Sequence, residues 1–185
     1  MWGGHQGSAL SSSPVPVLVL TGPVGAGKST VASEMGRLLR ESSVSYAIVD
    51  LPRIGDAWPS PPNDPWNERL IHQNLACMWA NFREAGASRL VICRILEERS
   101  LLDHIREAVA GANITVVRLR VPLEVLQERL RAREHPRRAD WYLEVATYLC
   151  EKMEKSPVED HVVDNGDRYP EEVAKEVLRR LKWLE

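Results

Sequence analysis

The sequence predicts a three-layer α/β fold, a five-stranded parallel sheet with helices on both faces. Two observations predict it. Short runs of Val, Ile and Leu recur along the chain, and segments of helical period separate them. Near-continuous apolar runs are typical of strands buried on both faces, and parallel strands need helical crossovers between them. With 185 residues, 44% of them hydrophobic and 27% charged, the chain is long enough for one globular core.

Predicted strands and helices alternate along the chain. The predicted strands are 15–20, 45–50, 89–93, 113–121 and 161–164. The predicted helices are 29–40, 65–85, 96–110, one that follows Pro122, and 170–184. Several helix ends carry the expected residues, because proline suits the first turn of a helix and glycine suits its C-terminal cap. Gly86, Gly111, Pro122 and Pro170 stand at such positions.

Composition and charge exclude several classes of protein. The formal net charge is −2 and no basic face dominates, so we expect no nucleic-acid partner. No run of eighteen apolar residues is present, and residues 1–14 lack the basic and apolar regions of a signal peptide. We therefore expect a cytoplasmic protein without membrane association. The Gly- and Ser-rich residues 1–14 are predicted to be a flexible leader to a domain over 15–185.

The cysteines predict neither disulfides nor a zinc site. Cys77, Cys93 and Cys150 are odd in number and widely spaced, and each lies in an apolar stretch. We expect them to be reduced residues of the core.

A phosphate-binding loop is the strongest functional signal. Residues 22–30 read GPVGAGKST, which fits G-x-x-x-x-G-K-[ST] between a predicted strand and a predicted helix. Glycines let backbone N–H groups point at phosphate oxygens, and the positive end of the following helix adds to the attraction. We expect Lys28 to bind the β- and γ-phosphates, Ser29 to ligate Mg²⁺, and Thr30 to contact the α-phosphate or cap the helix. The predicted nucleotide contacts are Gly22, Val24, Gly25, Ala26, Gly27, Lys28, Ser29 and Thr30.

With this motif the chain resembles the small P-loop kinases, which include nucleoside-monophosphate kinases, shikimate and gluconate kinases, adenylylsulfate kinase and chloramphenicol phosphotransferase. The resemblance covers nearly the whole chain from about residue 15. It implies a P-loop NTPase fold that uses ATP and Mg²⁺. It also implies an acceptor-binding insert at about 51–86 and a short lid at about 134–141.

Two basic segments after the fourth strand carry the resemblance further. By the family's R-x-x-x-R pattern, Arg129 would stack on adenine and Arg133 would reach the phosphates. A spacing of four residues puts both on one face of a helix. Segment 134–141, EHPRRADW, resembles the lid, in which Arg137 or Arg138 would close over the transferred phosphoryl group. A solvated basic face and an ordinary charged turn are the competing interpretations.

The segment after the last strand looks like the family's purine-binding loop. By that resemblance Asn165 and Gly166 would line the nucleotide site. The same Asn-Gly pair is also typical of a tight turn.

The chain departs from the family where the third strand ends. The family often has an Asp there that holds the water of the magnesium ion, whereas this chain has Cys93 and Arg94. Glu97 or Glu98 would be a substitute, although both also fit the first turn of the next helix. Ligands of open α/β sheets bind at the carboxyl ends of the strands, and a buried arginine needs an anionic partner. We expect that partner of Arg94 to be Asp50 or the acceptor.

Asp50 ends the second strand and is the candidate general base. In chloramphenicol phosphotransferase and its relatives an acid at this position receives the proton of the acceptor hydroxyl, so the resemblance implies the same role here. The chemistry agrees, because a carboxylate can both orient the attacking oxygen and remove its proton. Asp56 is the alternative base, and a strand-end cap is the structural alternative for Asp50.

The region after Asp50 predicts an acceptor cavity. Trp58, Trp66 and Trp79 suggest an apolar site that tolerates a ring, with Arg53 or Arg69 available for an acidic group. Trp79 has the spacing of a core residue on the buried face of a helix, whereas Trp58 lies in a loop with several prolines. Arg53, Trp58, Asp50 and Arg94 are therefore the predicted substrate contacts.

Together these features favour a kinase that uses ATP and Mg²⁺ to phosphorylate a hydroxyl of a small molecule, as a monomer or homodimer. A nucleoside-monophosphate kinase is the nearest alternative, although its insert usually carries more arginines than this one. A non-catalytic ATP-binding module and a P-loop ATPase are further alternatives. A regulatory GTPase is disfavoured because the sequence contains neither N-K-x-D nor D-x-x-G.

Overall fold

A computed structural model describes residues 14–184. Its elements are β1 (Val15–Thr21), α1 (Lys28–Glu41), β2 (Ala47–Asp50), a 3-10 turn (Leu51–Gly55), α2 (Glu68–Glu84), β3 (Leu90–Cys93), α3 (Leu101–Ala108), β4 (Ala112–Arg120), α4 (Leu123–Arg133), α5 (Pro136–Lys155), β5 (His161–Asp164) and α6 (Pro170–Arg180). The five strands form one parallel sheet in the order β2-β3-β1-β4-β5. The predicted fold class is confirmed. The predicted leader lies outside the described residues, apart from Pro14.

Two apolar layers cover the central sheet. Successive residues of a strand point to opposite faces, so Leu18 and Leu20 of β1 pack with α1 and α6, while Val17 and Val19 pack with α2 and α3. All four side chains are buried. Because the strands are parallel, the carboxyl ends of β1, β2 and β3 lie at one edge of the sheet. Open α/β folds bind their ligands at that edge.

Two predicted helices begin later than the sequence pattern suggested. Helix α2 begins at Glu68 rather than Pro65, because the Asp64 carboxylate accepts hydrogen bonds from the backbone N–H groups of Glu68 and Arg69. Helix α3 begins at Leu101 rather than Leu96. The Leu96 N–H donates instead to Thr21 Oγ1 at 2.9 Å, which ties the turn after β3 to the end of β1.

Buried side-chain amides hold the proline-containing loop between β2 and α2. Asn67 is only 6% exposed, and its Nδ2 donates to the carbonyl oxygens of Gly55 (3.0 Å) and Ala57 (3.1 Å). From α2, Asn74 Nδ2 donates to the Ile54 carbonyl oxygen at 2.6 Å. Buried backbone groups need such partners. The loop therefore has a fixed backbone at its base, beside Asp50.

The cysteines only partly follow the prediction. All three are free thiols, as expected, and Cys93 is buried at the end of β3. Cys150 is half-buried and Cys77 is exposed on α2, so the prediction that all three are core residues was wrong. Cys77 falls on the outer face of a helix whose inner face is filled by Ile71, Leu75 and Trp79.

No helix within residues 14–184 is long and apolar enough to cross a membrane.

Candidate nucleotide and acceptor site

The glycine-rich loop joins the carboxyl end of β1 to the first residue of α1. Gly22 has φ 140° and Gly27 has φ 83°, conformations that favour glycine. A Cβ at Gly22 would lie 2.7 Å from the Leu119 carbonyl oxygen, and one at Gly27 would lie 2.9 Å from Asn165 Nδ2. The loop therefore packs so closely on β4 and on Asn165 that any side chain larger than that of glycine would clash at these two positions. It presents the N-terminus of α1 to an anion.

Lys28 lies at the centre of the loop. Its Nζ donates to the carbonyl oxygens of Gly22 (2.8 Å) and Pro23 (3.0 Å). Burial lowers the pKa of this ammonium group from 10.5 to about 8. The lysine is thus a desolvated cation that is bound only by backbone carbonyls. A phosphate group would supply the countercharge that these carbonyls lack.

This pKa predicts that the binding of a phosphate-bearing ligand takes up a proton at alkaline pH. At about pH 8.5 much of Lys28 is neutral without such a ligand, and a nearby phosphate charge favours its protonated form. The affinity for the ligand should therefore fall as the pH rises above about 8. Calorimetry in two buffers of different ionisation enthalpy measures the proton uptake directly. Uptake that is absent in wild type, or unchanged in Lys28→Met, would contradict this assignment.

Ser29 and Asp50 meet at the mouth of the loop. Ser29 Oγ donates to Asp50 Oδ2 at 2.8 Å. Asp50 lies beside Cys93 in the register of β2 and β3, so the second strand supplies a carboxylate next to the position where the family often has its strand-three acid. Burial and the nearby Asp50 raise the pKa of the Cys93 thiol to about 12, which keeps it neutral. The hydroxyl oxygen of Ser29 is a ligand that Mg²⁺ prefers, so the mouth of the loop fits that ion.

These groups border one cavity of about 240 Å³. Its charged lining side chains are Lys28, Asp50, Arg94 and Arg133, and Ser29 and Cys93 also face it. Among the described residues that line it, Asp50 is the one carboxylate. The structure thus brings together the predicted phosphate lysine, the predicted base and two predicted arginines.

Arg94 enters this cavity from the end of β3, and the carboxylate that it contacts belongs to Glu68 rather than to Asp50. Arg94 Nη2 lies 3.0 Å from each carboxylate oxygen of Glu68, at the start of α2. The prediction that Asp50 pairs with Arg94 was wrong, because Asp50 Oδ2 instead accepts from Ser29. The Arg94 side chain is 11% exposed, so its charge is largely removed from water and needs this carboxylate.

A second cavity of about 350 Å³ borders the same loop. Its lining includes Gly25, Thr30, Arg129, Arg133 and Asn165. Arg129 Nη2 donates to the backbone carbonyls of residues 165 and 166, and Asn165 Nδ2 donates to the Ala26 carbonyl oxygen at 2.7 Å. The residues predicted to bind the purine, Arg129, Asn165 and Gly166, therefore lie together, and Asn165 ties them to the phosphate-binding loop. Arg133 borders both cavities, as a group that serves both ends of one nucleotide would.

A family model described as AAA domain matches residues 18–155. The chain belongs to the AAA domain family. No curated protein matches its sequence significantly.

Solved structures of small kinases share the fold of this AAA domain. A sugar kinase from a Janibacter species is 23% identical with a TM-score of 0.55, over 91% of this chain and 95% of that one. Shikimate kinase from Bacteroides thetaiotaomicron is 18% identical with a TM-score of 0.57, over 91% of this chain and 99% of that one. The Mycobacterium tuberculosis APS kinase, in complex with AMPPNP and APS, is 21% identical with a TM-score of 0.59, over 92% of this chain and 99% of that one. The AAA domain thus has the P-loop NTPase fold of small P-loop kinases, as the sequence predicted.

Two predicted acceptor contacts lie away from the cavity of this AAA domain. Trp58 is 92% exposed, so the expectation that it lines an apolar acceptor cavity was wrong. Arg53 is exposed on the 3-10 turn and is not among the cavity-lining residues. Trp79 is buried in the core, as expected. The rigid loop base turns these side chains outward, which the spacing of aromatic residues could not reveal.

The predicted lid is largely helical. Only Glu134 and His135 separate α4 from α5, and Pro136 occupies the first position of α5. Segment 134–141 is thus a two-residue connection followed by the first turns of α5, where proline is well tolerated, and its role as a lid stays a prediction. Arg137 is exposed in that turn and lines neither cavity. Its catalytic role stays a prediction.

Sequence reasoning missed two residues that position the site. Glu68 holds Arg94, and Thr21 fixes the turn that follows Arg94. The burial of an arginine at a strand end signalled that some acid must be near. It did not identify Glu68, which is 26 residues earlier in the chain. Glu97 accepts from Tyr148 and Glu98 from Ser100, so neither takes part in the contacts around Ser29.

Proposed function

We propose that this protein is an ATP- and Mg²⁺-dependent kinase that transfers the γ-phosphoryl group to a hydroxyl of a small molecule. One observation carries the proposal: the Asp50 carboxylate lies in the same cavity as Lys28 and is bonded to Ser29. The loop alone would serve a nucleotide-binding module, whereas a carboxylate in the same cavity adds a group that can take the proton of an acceptor hydroxyl. The fold shared with several small kinases supports the same activity.

In the proposed reaction the acceptor oxygen attacks the γ-phosphorus in line with the bond to the leaving oxygen. That phosphorus–oxygen bond breaks, a new one forms to the acceptor, and ADP leaves. Asp50 takes the hydroxyl proton on its carboxylate, with Oδ2 already fixed by Ser29. Lys28 and Arg133 supply positive charge to the phosphate oxygens, where charge stabilisation is worth most.

Ser29 is the residue that would hold Mg²⁺ through its hydroxyl oxygen, while Asp50 accepts the hydrogen bond of that hydroxyl. When bound, the ion neutralises charge on the β- and γ-phosphates.

For the base of the nucleotide, we propose that Arg129 and the 165–166 turn favour adenine. ATP binding at least tenfold tighter than GTP binding, measured by calorimetry, is the expected result.

The test of the proposed function does not require a known acceptor. The protein is incubated with ATP labelled at the γ-phosphate, Mg²⁺ and a small-molecule cell extract, and the labelled products are separated. The expected product is a labelled organic phosphate ester, and Lys28→Ala should not form it. Label that appears solely as inorganic phosphate would indicate an ATPase. No release of label at all, with ATP bound, would indicate a non-catalytic module.

Arg133 provides a prediction about the transition state. Arg133→Ala should lower kcat by about 10- to 100-fold while changing ATP affinity less, because charge on the transferred group is greatest in the transition state. Steady-state kinetics and nucleotide binding are measured together. Arg131→Ala, an exposed arginine on the same helix, is the matched control. Equal losses in ATP affinity and kcat/KM, with kcat spared, would make Arg133 an ordinary binding group.

The same measurement on Arg137→Ala tests the lid hypothesis. A drop in kcat comparable to that of Arg133→Ala would mean that the first turn of α5 closes over the phosphates. Wild-type kinetics would remove Arg137 from the catalytic residues.

A further inference from the structure

Arg94 has a fixed place relative to the phosphate-binding loop. Its backbone N–H donates to the Leu20 carbonyl oxygen at 3.2 Å, on the strand that runs directly into the loop. Two residues later the Leu96 N–H donates to the buried Thr21 hydroxyl. These bonds anchor both sides of the turn that carries Arg94. The backbone at Arg94 is therefore fixed beside the phosphate-binding loop, and the side chain lines the same cavity as Lys28 and Asp50.

The guanidinium of Arg94 is only partly satisfied by Glu68. Both hydrogen bonds to the Glu68 carboxylate come from Nη2, and the buried Nε has no hydrogen-bond partner. Guanidinium offers five N–H donors in a planar fork that matches carboxylate and phosphate oxygens. Because Glu68 takes both of its hydrogen bonds from Nη2, that carboxylate does not occupy the Nη1 edge of the fork. A guanidinium with such an edge beside a cavity is suited to a ligand anion.

The charges of the cavity favour the same ligand. Lys28, Arg94 and Arg133 line it beside the carboxylate of Asp50; Arg94 is paired with Glu68 and Arg133 with Glu134, and neither of those two acids is among the lining residues. The proposed function assigns Lys28 and Arg133 to the phosphates of ATP, which leaves Arg94 on the acceptor side. Glu68 does not block an anion there, because its side chain is 43% exposed and water can solvate it. It keeps Arg94 partnered while the acceptor is absent.

We infer that the acceptor carries an acidic group, a carboxylate or a phosphate, and that Arg94 binds it. This inference rests on the proposed function. It narrows the acceptor to an anionic alcohol, with its hydroxyl at Asp50 and its acidic group at the guanidinium. Glu68 acts as a positioning residue, since it contacts Arg94 rather than the reacting atoms.

Simple anions test this inference without knowledge of the acceptor. The protein is first saturated with AMPPNP and Mg²⁺, which fills the phosphate-binding loop. Inorganic phosphate and acetate are then titrated separately by calorimetry. At least one of them should bind to wild type, and Arg94→Gln should weaken that binding at least about tenfold. Binding of phosphate but not acetate would indicate a phosphorylated acceptor, and binding of acetate but not phosphate would indicate a carboxylic acid.

Two variants control for folding and for general charge. Arg94→Lys keeps a cation at the site and should retain part of the anion affinity. Arg83→Gln removes an exposed arginine of α2 and should bind anions like wild type. All variants are compared for circular dichroism and AMPPNP affinity before the titrations.

The failures of the two proposals are distinguishable. The inference is overturned if wild type binds AMPPNP but neither anion, or if anion binding persists in Arg94→Gln. In both cases the kinase proposal still stands. A wild-type protein that does not bind AMPPNP would overturn both.

Discussion

Lys28→Ala is expected to abolish turnover and to weaken ATP binding by at least about 30-fold, because it removes a desolvated cation from the phosphate site. The present contacts of Lys28 Nζ are with two carbonyl oxygens of the loop itself. Its loss therefore removes no contact between layers of the core. Circular dichroism of the variant should match that of wild type, while labelled-ATP transfer falls below detection.

Lys155→Ala is the matched control for Lys28→Ala. Lys155 is an exposed lysine at the end of α5, paired with Glu151 at 3.2 Å, and such surface pairs contribute little. It should retain full activity. Wild-type turnover in Lys28→Ala would refute the phosphate-site assignment, and an unfolded Lys28→Ala would show that the lysine has a structural role instead.

Much of the fold followed from the sequence because its local signals agree with its long-range contacts. Near-continuous apolar runs predicted five strands, and all five are present. The loop motif between β1 and α1 depends on adjacent residues alone, so spacing was enough to locate it. Asp50 was also placed correctly beside the loop. The carboxyl ends of parallel strands meet at one edge, whatever the lengths of the helices between them.

What the sequence left undetermined depends on the direction of individual side chains. Trp58 is exposed directly after Ala57, whose carbonyl oxygen accepts from the Asn67 side chain, and that contact has no periodic signature. The pairing of Arg94 with Glu68 joins β3 to α2 across a long stretch of chain. The helical start at Pro136 was predictable in principle, since proline favours that position, but the basic residues after it also resemble a lid.

The pairing of Asp50 with Ser29 makes Asp50→Asn the most informative substitution in the site. An asparagine keeps the size of the side chain and an oxygen that can accept from the Ser29 hydroxyl, so the cavity should keep its shape. It removes the negative charge and the ability to take a proton. ATP affinity should therefore change by less than about threefold, which is under 1 kcal/mol.

Acceptor phosphorylation by Asp50→Asn should fall by roughly 10²- to 10⁴-fold, the usual contribution of a general base. Transfer of label from ATP to the organic product is measured beside the nucleotide dissociation constant of each protein. Asp56→Asn is the matched control, because Asp56 is exposed just beyond the 3-10 turn and is the alternative base. Wild-type turnover in Asp50→Asn with a loss in Asp56→Asn would transfer the catalytic role to Asp56. If Asp50→Asn lost both its fold and its ATP binding, the carboxylate would be structural, because a base that acts only on the acceptor is dispensable for both.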